Sequence, residues 1–287
     1  MAEILSKILS QSSCLGRSCE ALNSEERIKG DCDFYNARRG HLNDEDGVEC
    51  EKCLNRGDIM IPMQIGGQWY QGLKPCVCKG TRNTIRRFNR CGISKSLLDS
   101  YTFDSFQAVE PWQVQMRTAA EAFASDPNAR LYFVGGATGC GKSHICTALA
   151  AHFIRAGREA RYVRWREDSM RLKSIVMDTE AYAAAMWELK AVDVLYIDDF
   201  FKPVRGRDGA IQPPSEADIG LAYELIDYRY STHTGVTILS SERYITEIVG
   251  IDEATGGRIA EMATPAYVVN IGRNAQRNYR LRGMEII

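Results

Sequence analysis

The sequence predicts an α/β fold in which a five-stranded parallel sheet carries a phosphate-binding loop and is preceded by a small cysteine-rich module. Three observations lead to this prediction. From residue 100 onward, short apolar runs alternate with helical stretches. The stretch "GATGCGKS" (136–143) follows the first of these runs, and eight of the ten cysteines precede residue 92. Because 287 residues suffice for one domain of ordinary size and a small companion, we expect a module over 1–92 and a second domain over 100–287.

The predicted strands are short and apolar, and helical stretches separate them. They are "RLYFVGG" (130–136), "ARYVRW" (160–165), "DVLYID" (193–198), "GVTILSS" (235–241) and "AYVVNI" (266–271). The predicted helices between them are "SHICTALAAHFIRAG", "TEAYAAAMWELK", "ADIGLAYELIDYRY" and "GGRIAEM". Buried strands joined by helical crossovers form a parallel sheet with both faces covered. Nearer the N-terminus, residues 2–10 have helical spacing of apolar positions, whereas the polar stretch 23–49 predicts loops.

The composition is that of a soluble globular protein, with 45% hydrophobic and 25% charged residues and a formal net charge of −1. A chain so nearly neutral does not coat nucleic acid over its whole surface, so any such contact is local. No apolar run approaches the roughly 18 residues of a membrane span, and the N-terminus lacks the pattern of a secretory signal. We therefore expect a cytoplasmic protein in which the cysteines are free thiols or metal ligands.

A nucleotide-binding loop is the strongest motif. "GATGCGKS" fits G-x-x-x-x-G-K-[ST] and stands between a predicted strand and a predicted helix, which is the context that the motif needs. The loop N–H groups and the helix N-terminus hold phosphates, Lys142 reaches the β- and γ-phosphates, and Ser143 places a hydroxyl on Mg²⁺. The residues predicted to bind ATP here are Gly136, Ala137, Thr138, Gly139, Cys140, Gly141, Lys142, Ser143 and His144.

An acidic pair ends the predicted strand 193–198. In "VLYIDDF", Asp198 is assigned to the Mg²⁺ shell and Asp199 to polarising the attacking water. A further strand, 160–165, falls between the phosphate loop and this pair. That extra strand, with an acid beside the metal ligand, favours the ATPase branch of these folds over small kinases.

Two cysteine pairs predict a zinc site ahead of the ATPase. Cys50, Cys53, Cys76 and Cys78 occur as "CEKC" and "CVC" with 22 residues between the pairs, a pattern that can close a tetrahedral four-thiolate site. Cys91 or His41 can replace one member, and unligated thiols are the alternative. Four protein ligands leave no open position for water, so the site would be structural and would stabilise residues of about 48–92.

Several motifs beyond the phosphate loop carry a family resemblance. In order they are the zinc cysteines, "TIRRFNRCGISKSLLDSYTFDSF", "GGATGCGKSH", "VLYIDDFFK", "ELIDYRY", "ILSSERYITEI" and "RIAEM". From about residue 48 the chain resembles the bacterial helicase loaders of the DnaC/DnaI type, including versions carried by phages. The resemblance implies a self-associating AAA+ ATPase that binds the hexameric replicative helicase through an N-terminal, often zinc-bearing domain. It also implies that such a protein helps to place the helicase on single-stranded DNA.

The resemblance implies further site residues. Arg258 in "GGRIAEM" stands where the family has an arginine that completes a neighbouring subunit's site, with Gly257 in place of a serine. The polar sensor after the fourth strand is Glu242, with Ser241 beside it as the alternative. Arg280 matches the arginine that contacts the nucleotide from the C-terminal side, although Arg277 is hard to distinguish from it. Only 16 residues follow the last predicted strand, which implies a reduced C-terminal lid.

Two basic stretches are candidates for nucleic-acid contact. Residues 154–173 hold seven Lys or Arg against three acids, interleaved with Tyr162 and Trp165. Cations suit the DNA backbone and aromatic rings suit unstacked bases, although part of the segment is core strand and a solvated charged helix explains the rest equally well. The second stretch, which faces nucleic acid or an acidic partner, contains Arg82, Arg86, Arg87 and Arg90. No role is assigned to the Gly/Pro-rich insertion 202–216.

Taken together, the sequence predicts an ATPase that loads the hexameric replicative helicase during DNA replication. The cofactors expected are ATP, Mg²⁺ and Zn²⁺, and the partners are the helicase, single-stranded DNA and further copies of the chain. Hydrolysis is expected to be slow or partner-dependent, because a carboxylate at Glu242 repels a γ-phosphate unless it is paired. One alternative is a transposition helper ATPase of the IstB type, and the other is a binding protein that uses nucleotide as a switch without turnover.

Overall fold

The computed structural model describes residues 24–207 and 209–281 and divides the chain into two compact units, 1–85 and 86–287. The first unit contains α1 (Glu25–Ala37), α2 (Leu42–Asp46), β1 (Asp58–Ile65) and β2 (Gln68–Pro75), and α3 (Cys78–Cys91) passes through the point of division. The second unit then contains α4 (Lys95–Ser100), α5 (Pro111–Ser125), β3 (Leu131–Gly136), α6 (Lys142–Arg155), β4 (Ala160–Arg164), α7 (Trp165–Ser174), α8 (Thr179–Ala191), β5 (Val194–Asp198), β6 (Val204–Arg205), β7 (Ile211–Gln212), α9 (Glu216–Thr232), β8 (Val236–Ser241), α10 (Ile245–Ile251), α11 (Glu253–Ala263) and β9 (Val268–Ile271).

The second unit is an α/β domain built on the predicted sheet. Its five strands are parallel and lie in the order β4-β5-β8-β3-β9. All five overlap the predicted apolar runs, so the predicted fold class is confirmed. Along β3, Leu131 and Phe133 join one apolar cluster while Tyr132 and Val134 join another, as the alternation of side chains along a strand requires. Both faces of the sheet are therefore covered.

The insertion and the C-terminal end of this unit are simple. Within 202–216, β6 and β7 form a small antiparallel pair. Beyond β9, the described residues form two short 3₁₀ turns, Ala275–Arg277 and Tyr279–Leu281. None of the helices in the described ranges has the length and apolar character that a membrane crossing needs.

The first unit combines a β-hairpin with two helices. β1 and β2 pair antiparallel, and Gly66 and Gly67 connect them with φ of 59° and 85°, which suits a type I′ turn. The expectation of loops over 23–49 is wrong. Ser24 caps α1 by accepting from the Arg27 N–H at 3.4 Å, and α1 buries Ile28, so a few well-placed residues stabilise a helix that the polar composition concealed. The helix predicted over 2–10 lies outside the described residues.

Candidate functional site

A cavity of about 510 Å³ lies where the phosphate loop and the acidic pair meet. The loop follows β3, the pair ends β5, and Glu242 follows β8, so all three belong to the carboxyl edge of the parallel sheet. Its lining includes these predicted residues: Thr138, Gly139, Cys140, Gly141, Lys142, Ser143, His144, Asp198, Asp199, Glu242 and Arg280. The remaining residues of the lining are Tyr101, Ser105, Phe106, Gln107, Gln113, Lys202 and Tyr279.

The phosphate loop has a conformation that only its glycines allow. Gly136 has φ of 112°, and a Cβ there would overlap the carbonyl oxygen of Ile271. Gly139 has φ of 71°, and a Cβ there would overlap the side chain of Asn278. The Lys142 ammonium donates to the carbonyl oxygens of Gly136 at 3.0 Å and Ala137 at 2.7 Å. The loop therefore curls around its own lysine, and its following helix α6 starts at that residue.

Asp198 accepts hydrogen bonds from four donor groups. The Ser143 hydroxyl donates to its two oxygens at 3.4 and 3.3 Å, and the Tyr162 hydroxyl donates to Oδ2 at 3.1 Å. The Ser240 hydroxyl and the Asp199 N–H both donate to Oδ1. Burial, followed by the charge of Asp198, raises the pKa of Tyr162, so this phenol stays a proton donor. The contact between Ser143 and Asp198 brings together the two groups that the sequence assigned to one Mg²⁺ ion.

Asp199, Lys202 and Glu242 form a charged cluster in the cavity wall. The Lys202 ammonium lies 2.9 Å from Asp199 Oδ2 and 3.4 Å from Glu242 Oε1. Glu242 needs a cationic partner if it is not to repel a γ-phosphate, and Lys202 is that partner. No sequence motif identified Lys202. Because Lys202 begins the insertion to which no role was assigned, local sequence gave no sign of this pairing.

Two pairs of alternatives separate in the structure. Glu242 lines the cavity, whereas the buried Ser241 hydroxyl donates to the Phe200 carbonyl oxygen at 2.6 Å. The expectation that Ser241 contacts the nucleotide thus conflicts with the structure, because its hydroxyl holds the turn after β5. Arg280 lines the cavity, whereas Arg277 donates to the Gly272 carbonyl oxygen at 2.9 Å.

Arg258 lies on α11 and is not among the described residues that line the cavity. Its guanidinium forms an ion pair with Asp227 at 2.8 Å and lies over the rings of Tyr223 and Tyr230, 5.0 and 5.6 Å from their centroids. The side chain is about one-quarter exposed. Arg258 is therefore a pre-oriented cation outside its own chain's cavity, which is compatible with a role in a neighbouring copy.

The segment ahead of α5 supplies a wall that the motifs did not predict. His144 stacks on Tyr101 with ring centroids 4.5 Å apart and contacts the Thr102 carbonyl oxygen at 3.0 Å. Burial lowers the pKa of His144, so the imidazole is neutral near pH 7. Phe106 packs edge-on against the same imidazole, at 5.2 Å. Aromatic residues on a loop after a helix give no periodic signal, so the sequence indicated this segment only through its resemblance to the helicase loaders.

The predicted DNA-binding segment 154–173 is only partly available. Trp165 is 4% exposed and packs on Phe200 and Phe201, and Tyr162 contacts Asp198. Trp165 therefore belongs to the part of the segment that was expected to be core, and its ring is not available for stacking on bases. Arg164, which is exposed on β4, stays a candidate for a phosphate contact.

The second basic stretch is likewise not a uniform surface. Arg82 is 1% exposed, forms an ion pair with Asp46 and donates to the Val48 carbonyl oxygen at 2.7 Å. Its assignment to a nucleic-acid or acidic-partner surface is therefore wrong. Arg87 forms an ion pair with Glu159 at 3.2 Å, which leaves less of its charge for an outside partner.

The four predicted cysteines meet in the first unit. The Sγ atoms of Cys50, Cys53, Cys76 and Cys78 all lie within 4.8 Å of one another, and none forms a disulfide. We call this group the cysteine cluster. Two of its Sγ separations are 3.8 and 3.5 Å, close to the roughly 3.8 Å between ligands of a tetrahedron with Zn–S bonds near 2.3 Å. The donor set and its spacing therefore fit a zinc ion.

Backbone and side-chain donors surround these thiols. The Gly57 N–H donates to Cys53 Sγ at 3.3 Å, and Arg82 Nε donates to Cys78 Sγ at 3.5 Å. Burial opposes the thiolate of Cys53, but the Gly57 N–H and the neighbouring thiols outweigh it and lower its pKa to about 7. Such donors favour the thiolate form that a metal requires, whereas burial raises the pKa of Cys78.

The two candidate replacements do not join the cysteine cluster. His41 is exposed, and its Nδ1 atom lies 3.7 Å from Asp44 Oδ2. Cys91 donates to the Phe88 carbonyl oxygen at 3.1 Å and belongs to an apolar cluster of the second unit. The four cysteines are therefore the set that the described residues bring together.

The chain is similar to a family of ATP-binding proteins and to two curated relatives. The family model described as IstB-like ATP binding protein matches residues 80–251, more than half of the chain. Phage-like element PBSX protein XkdC of Bacillus subtilis (strain 168) is 35% identical over 150 residues, which are 52% of this chain and 53% of XkdC. Protein YqaM of the same strain is 34% identical over 151 residues, 52% of this chain and 46% of YqaM. The chain thus spans about half the length of the curated relatives it matches.

One solved structure is similar in fold to more than half of this chain. The match is to the crystal structure of the DnaC helicase loader, with a TM-score of 0.51 and 19% sequence identity. It covers 62% of this chain and 99% of that one. At this identity the likeness establishes the fold, which is that of an AAA+ P-loop domain.

Proposed function

The chain belongs to the IstB-like ATP-binding proteins, and from this premise we propose that it is an ATP-dependent loader of the hexameric replicative DNA helicase, acting in the cytosol. Its AAA+ domain, expected over 100–287, binds and slowly hydrolyses ATP. The module expected over 1–92 binds the helicase. Nucleotide state then controls assembly, and hydrolysis serves as a timer or a release step.

The proposed nucleotide chemistry uses the cavity at the sheet edge. The loop N–H groups and Lys142 bind the β- and γ-phosphates, and Ser143 and Asp198 hold Mg²⁺. The ion, when bound, neutralises charge on the transferring phosphoryl group. Asp199 orients the attacking water, and Arg280 contacts the nucleotide from the C-terminal side. The 3.3 Å contact between Ser143 and Asp198 supports the metal assignment.

Self-association completes the proposed site. Arg258 is held by Asp227 at 2.8 Å and by two tyrosine rings, and it lies apart from its own chain's cavity. A cation placed in this way is suited to a neighbouring copy, where it stabilises charge on the phosphoryl group during transfer. ATP turnover is therefore expected to rise with protein concentration.

The cysteine cluster is the single observation that carries the helicase proposal. Its residues 50–78 lie wholly outside the matched range 80–251, so the chain adds a separate module to the family's ATP-binding domain. A zinc ion in this cluster would stabilise a unit with a small apolar core, in which three of the cysteines themselves form a buried cluster. The DnaC structure is that of a helicase loader, which makes a helicase the first partner to test. Single-stranded DNA is the proposed second partner, through arginines such as Arg164.

The experiment is a mixing test with the replicative helicase of the same host. Full-length protein, with and without ATP, is combined with the helicase and run on a sizing column. We expect a stable complex that the double substitution Cys53→Ser, Cys78→Ser abolishes while nucleotide binding persists. The buried single substitution Cys146→Ser, outside the cysteine cluster, serves as a matched control. If no complex forms under either condition, the loader proposal is refuted.

The family match favours one second candidate, a transposition helper ATPase of the IstB type. Such a protein would bind double-stranded DNA and a transposase, and no zinc-bearing docking module is expected on it. Retention on a double-stranded DNA column, without helicase binding, would favour this candidate.

A nucleotide-switched binding protein is the remaining alternative. Turnover that Lys142→Ala or Asp198→Ala abolishes distinguishes both ATPases from such a switch.

A further inference from the structure

Lys202 occupies a position in the nucleotide cavity that the proposed mechanism leaves unexplained. Its ammonium contacts Asp199 at 2.9 Å and Glu242 at 3.4 Å, and all three side chains line the cavity. Lys202 is about one-third exposed and Glu242 about one-fifth, so the cluster is accessible to a ligand but partly shielded from bulk water. A charge interaction in such a place is stronger than one on an open surface.

The turn that carries Lys202 is fixed by its neighbours. Asp199 and Phe201 have φ of 56° and 47°, which is the left-handed region that L-residues rarely adopt. Phe200 and Phe201 are buried and stack on one another with ring centroids 4.2 Å apart. A surrounding structure that maintains two such residues within three positions fixes where the next side chain begins, which marks this turn as a functional feature.

Hydrogen bonds from β8 and beyond anchor the same turn. The Phe200 N–H donates to the Ser240 carbonyl oxygen at 2.9 Å, and the Ser241 hydroxyl donates to the Phe200 carbonyl oxygen at 2.6 Å. The Arg243 guanidinium donates to the Phe201 carbonyl oxygen at 2.7 Å. Lys202 is thus presented to the cavity from a backbone that β5 and β8 hold on both sides.

The charges define what Lys202 does. Without it, Asp199 and Glu242 would place two negative charges in the wall of a cavity built for a polyphosphate. The ammonium offsets one of them, and burial of Lys202 is outweighed by the hydrogen bond and charges of the two acids, which raise its pKa. An ammonium has three N–H donors, and two contacts leave one for a phosphate oxygen.

We propose that Lys202 is the residue that lets this site accept a triphosphate, because it neutralises the Asp199–Glu242 pair and contacts the terminal phosphoryl group. The proposal rests on the proposed nucleotide site and deepens it. Lys142 does not duplicate this role, because it lies on the phosphate loop and contacts the Gly136 and Ala137 carbonyl oxygens. Lys202 is therefore expected to govern discrimination between ATP and ADP.

The test measures two affinities on the full-length protein by calorimetry, with Mg²⁺ and either ADP or the non-hydrolysable β,γ-imido analogue of ATP. The variants are Lys202→Met, Lys202→Arg, Glu242→Gln and the double Lys202→Met, Glu242→Gln. The control is Lys190→Met. Lys190 does not line the cavity, and its ammonium lies 2.7 Å from Glu224 Oε1.

Lys202→Met is expected to weaken the affinity for the triphosphate analogue about tenfold and the affinity for ADP by less than about twofold. The reason is that the unpaired charge of Glu242 repels mainly the terminal phosphoryl group, which ADP lacks. Lys202→Arg retains the affinity for both nucleotides. The double variant recovers the affinity for the analogue to within about threefold of the wild type, because the repelling charge of Glu242 is gone while the contact of the ammonium with the phosphoryl group stays lost. The control changes neither affinity.

Two outcomes overturn the proposal. Equal weakening of both nucleotides by Lys202→Met, or no recovery in the double variant, means that Lys202 only maintains the turn. A wild-type protein that binds neither nucleotide refutes the nucleotide site itself, and the inference with it. The two failures are therefore told apart by the wild-type measurement.

Discussion

Removing one hydroxyl group from Tyr162 tests how the proposed Mg²⁺ ligand Asp198 is oriented. The Tyr162 hydroxyl donates to Asp198 Oδ2 at 3.1 Å, and the ring packs against Tyr196 with centroids 4.9 Å apart. Tyr162→Phe deletes the hydroxyl and retains the ring. The strand β4 should therefore keep its packing, and the substitution should change only the hydrogen bonding of Asp198.

The magnitude follows from the donors that remain. Asp198 also accepts from Ser143, Ser240 and the Asp199 N–H, so Tyr162 supplies one of four donors. A hydrogen bond to a charged group contributes about 1.5–3 kcal/mol, and loss of a partner of a metal ligand costs about 10- to 100-fold in metal affinity or activity. Tyr162 is partly exposed, so water replaces some of the loss, and we expect about a tenfold effect.

The assay is ATP turnover as a function of Mg²⁺ concentration. Tyr162→Phe should shift the half-saturating Mg²⁺ concentration about tenfold upward, with a normal thermal midpoint. Tyr182→Phe is the matched control. The Tyr182 hydroxyl also donates to a carboxylate, that of Glu224 at 2.5 Å, but Tyr182 does not line the cavity. An unchanged Mg²⁺ dependence in Tyr162→Phe, or an equal shift in both variants, would refute the reasoning.

Four further predictions address other parts of the molecule. Arg258→Ala should lower ATP turnover by about 100-fold or more at concentrations where the protein self-associates, whereas unchanged turnover there would remove the trans assignment. Chelation should release about one zinc per chain, measured by a colorimetric indicator, and the circular dichroism of the first unit should be lost with it; purified protein without bound metal would contradict the zinc assignment. Gly136→Ala should destabilise by about 2–4 kcal/mol in urea unfolding, because its φ of 112° and the adjacent Ile271 carbonyl oxygen exclude a Cβ, and wild-type stability would be contrary to this. Burial depresses the pKa of His144, so its contribution to stability is present above the ordinary histidine pKa near 6.5 and is lost as pH falls below it; His144→Gln should therefore flatten the decline in unfolding free energy between about pH 7 and pH 5, and an unaltered decline would argue against it.

The sequence was sufficient for the sheet and the loop because both leave local signals. Each strand of the five-stranded sheet lies in a short apolar run and has four to six residues, and the phosphate loop is a contiguous motif with its strand and helix attached. The cysteine cluster could also be predicted from the sequence, since cysteine pairs at short spacing in a reducing compartment are typical of metal sites.

Residues whose roles depend on contacts between distant parts of the chain could not be predicted from the sequence. Tyr162 lies 36 positions from Asp198, and it becomes a partner of that carboxylate because β4 and β5 pair in register. Lys202 meets Glu242, 40 residues further along the chain, because β5 and β8 are paired neighbours in the sheet. No local pattern encodes these contacts, because they arise from the order of the strands.

Burial explains the incorrect predictions. Arg82 stands in a basic stretch that looks like surface, but it is buried in an ion pair with Asp46, whereas Trp165, at the end of the predicted strand 160–165, packs against two phenylalanine rings. The helix α1 was hidden by a polar composition and is stabilised by its cap and by packing on the hairpin. Composition over a short window does not reveal which side of an element faces the core.

Loading of the helicase on closed single-stranded DNA tests the central claim most directly. The replicative helicase of the host is mixed with circular single-stranded DNA carrying an annealed strand, and strand displacement is followed over time. We predict that this protein with ATP strongly increases displacement, and that neither Lys142→Ala nor the Cys53→Ser, Cys78→Ser variant does so. Displacement that is unchanged by the wild-type protein and ATP would contradict the account.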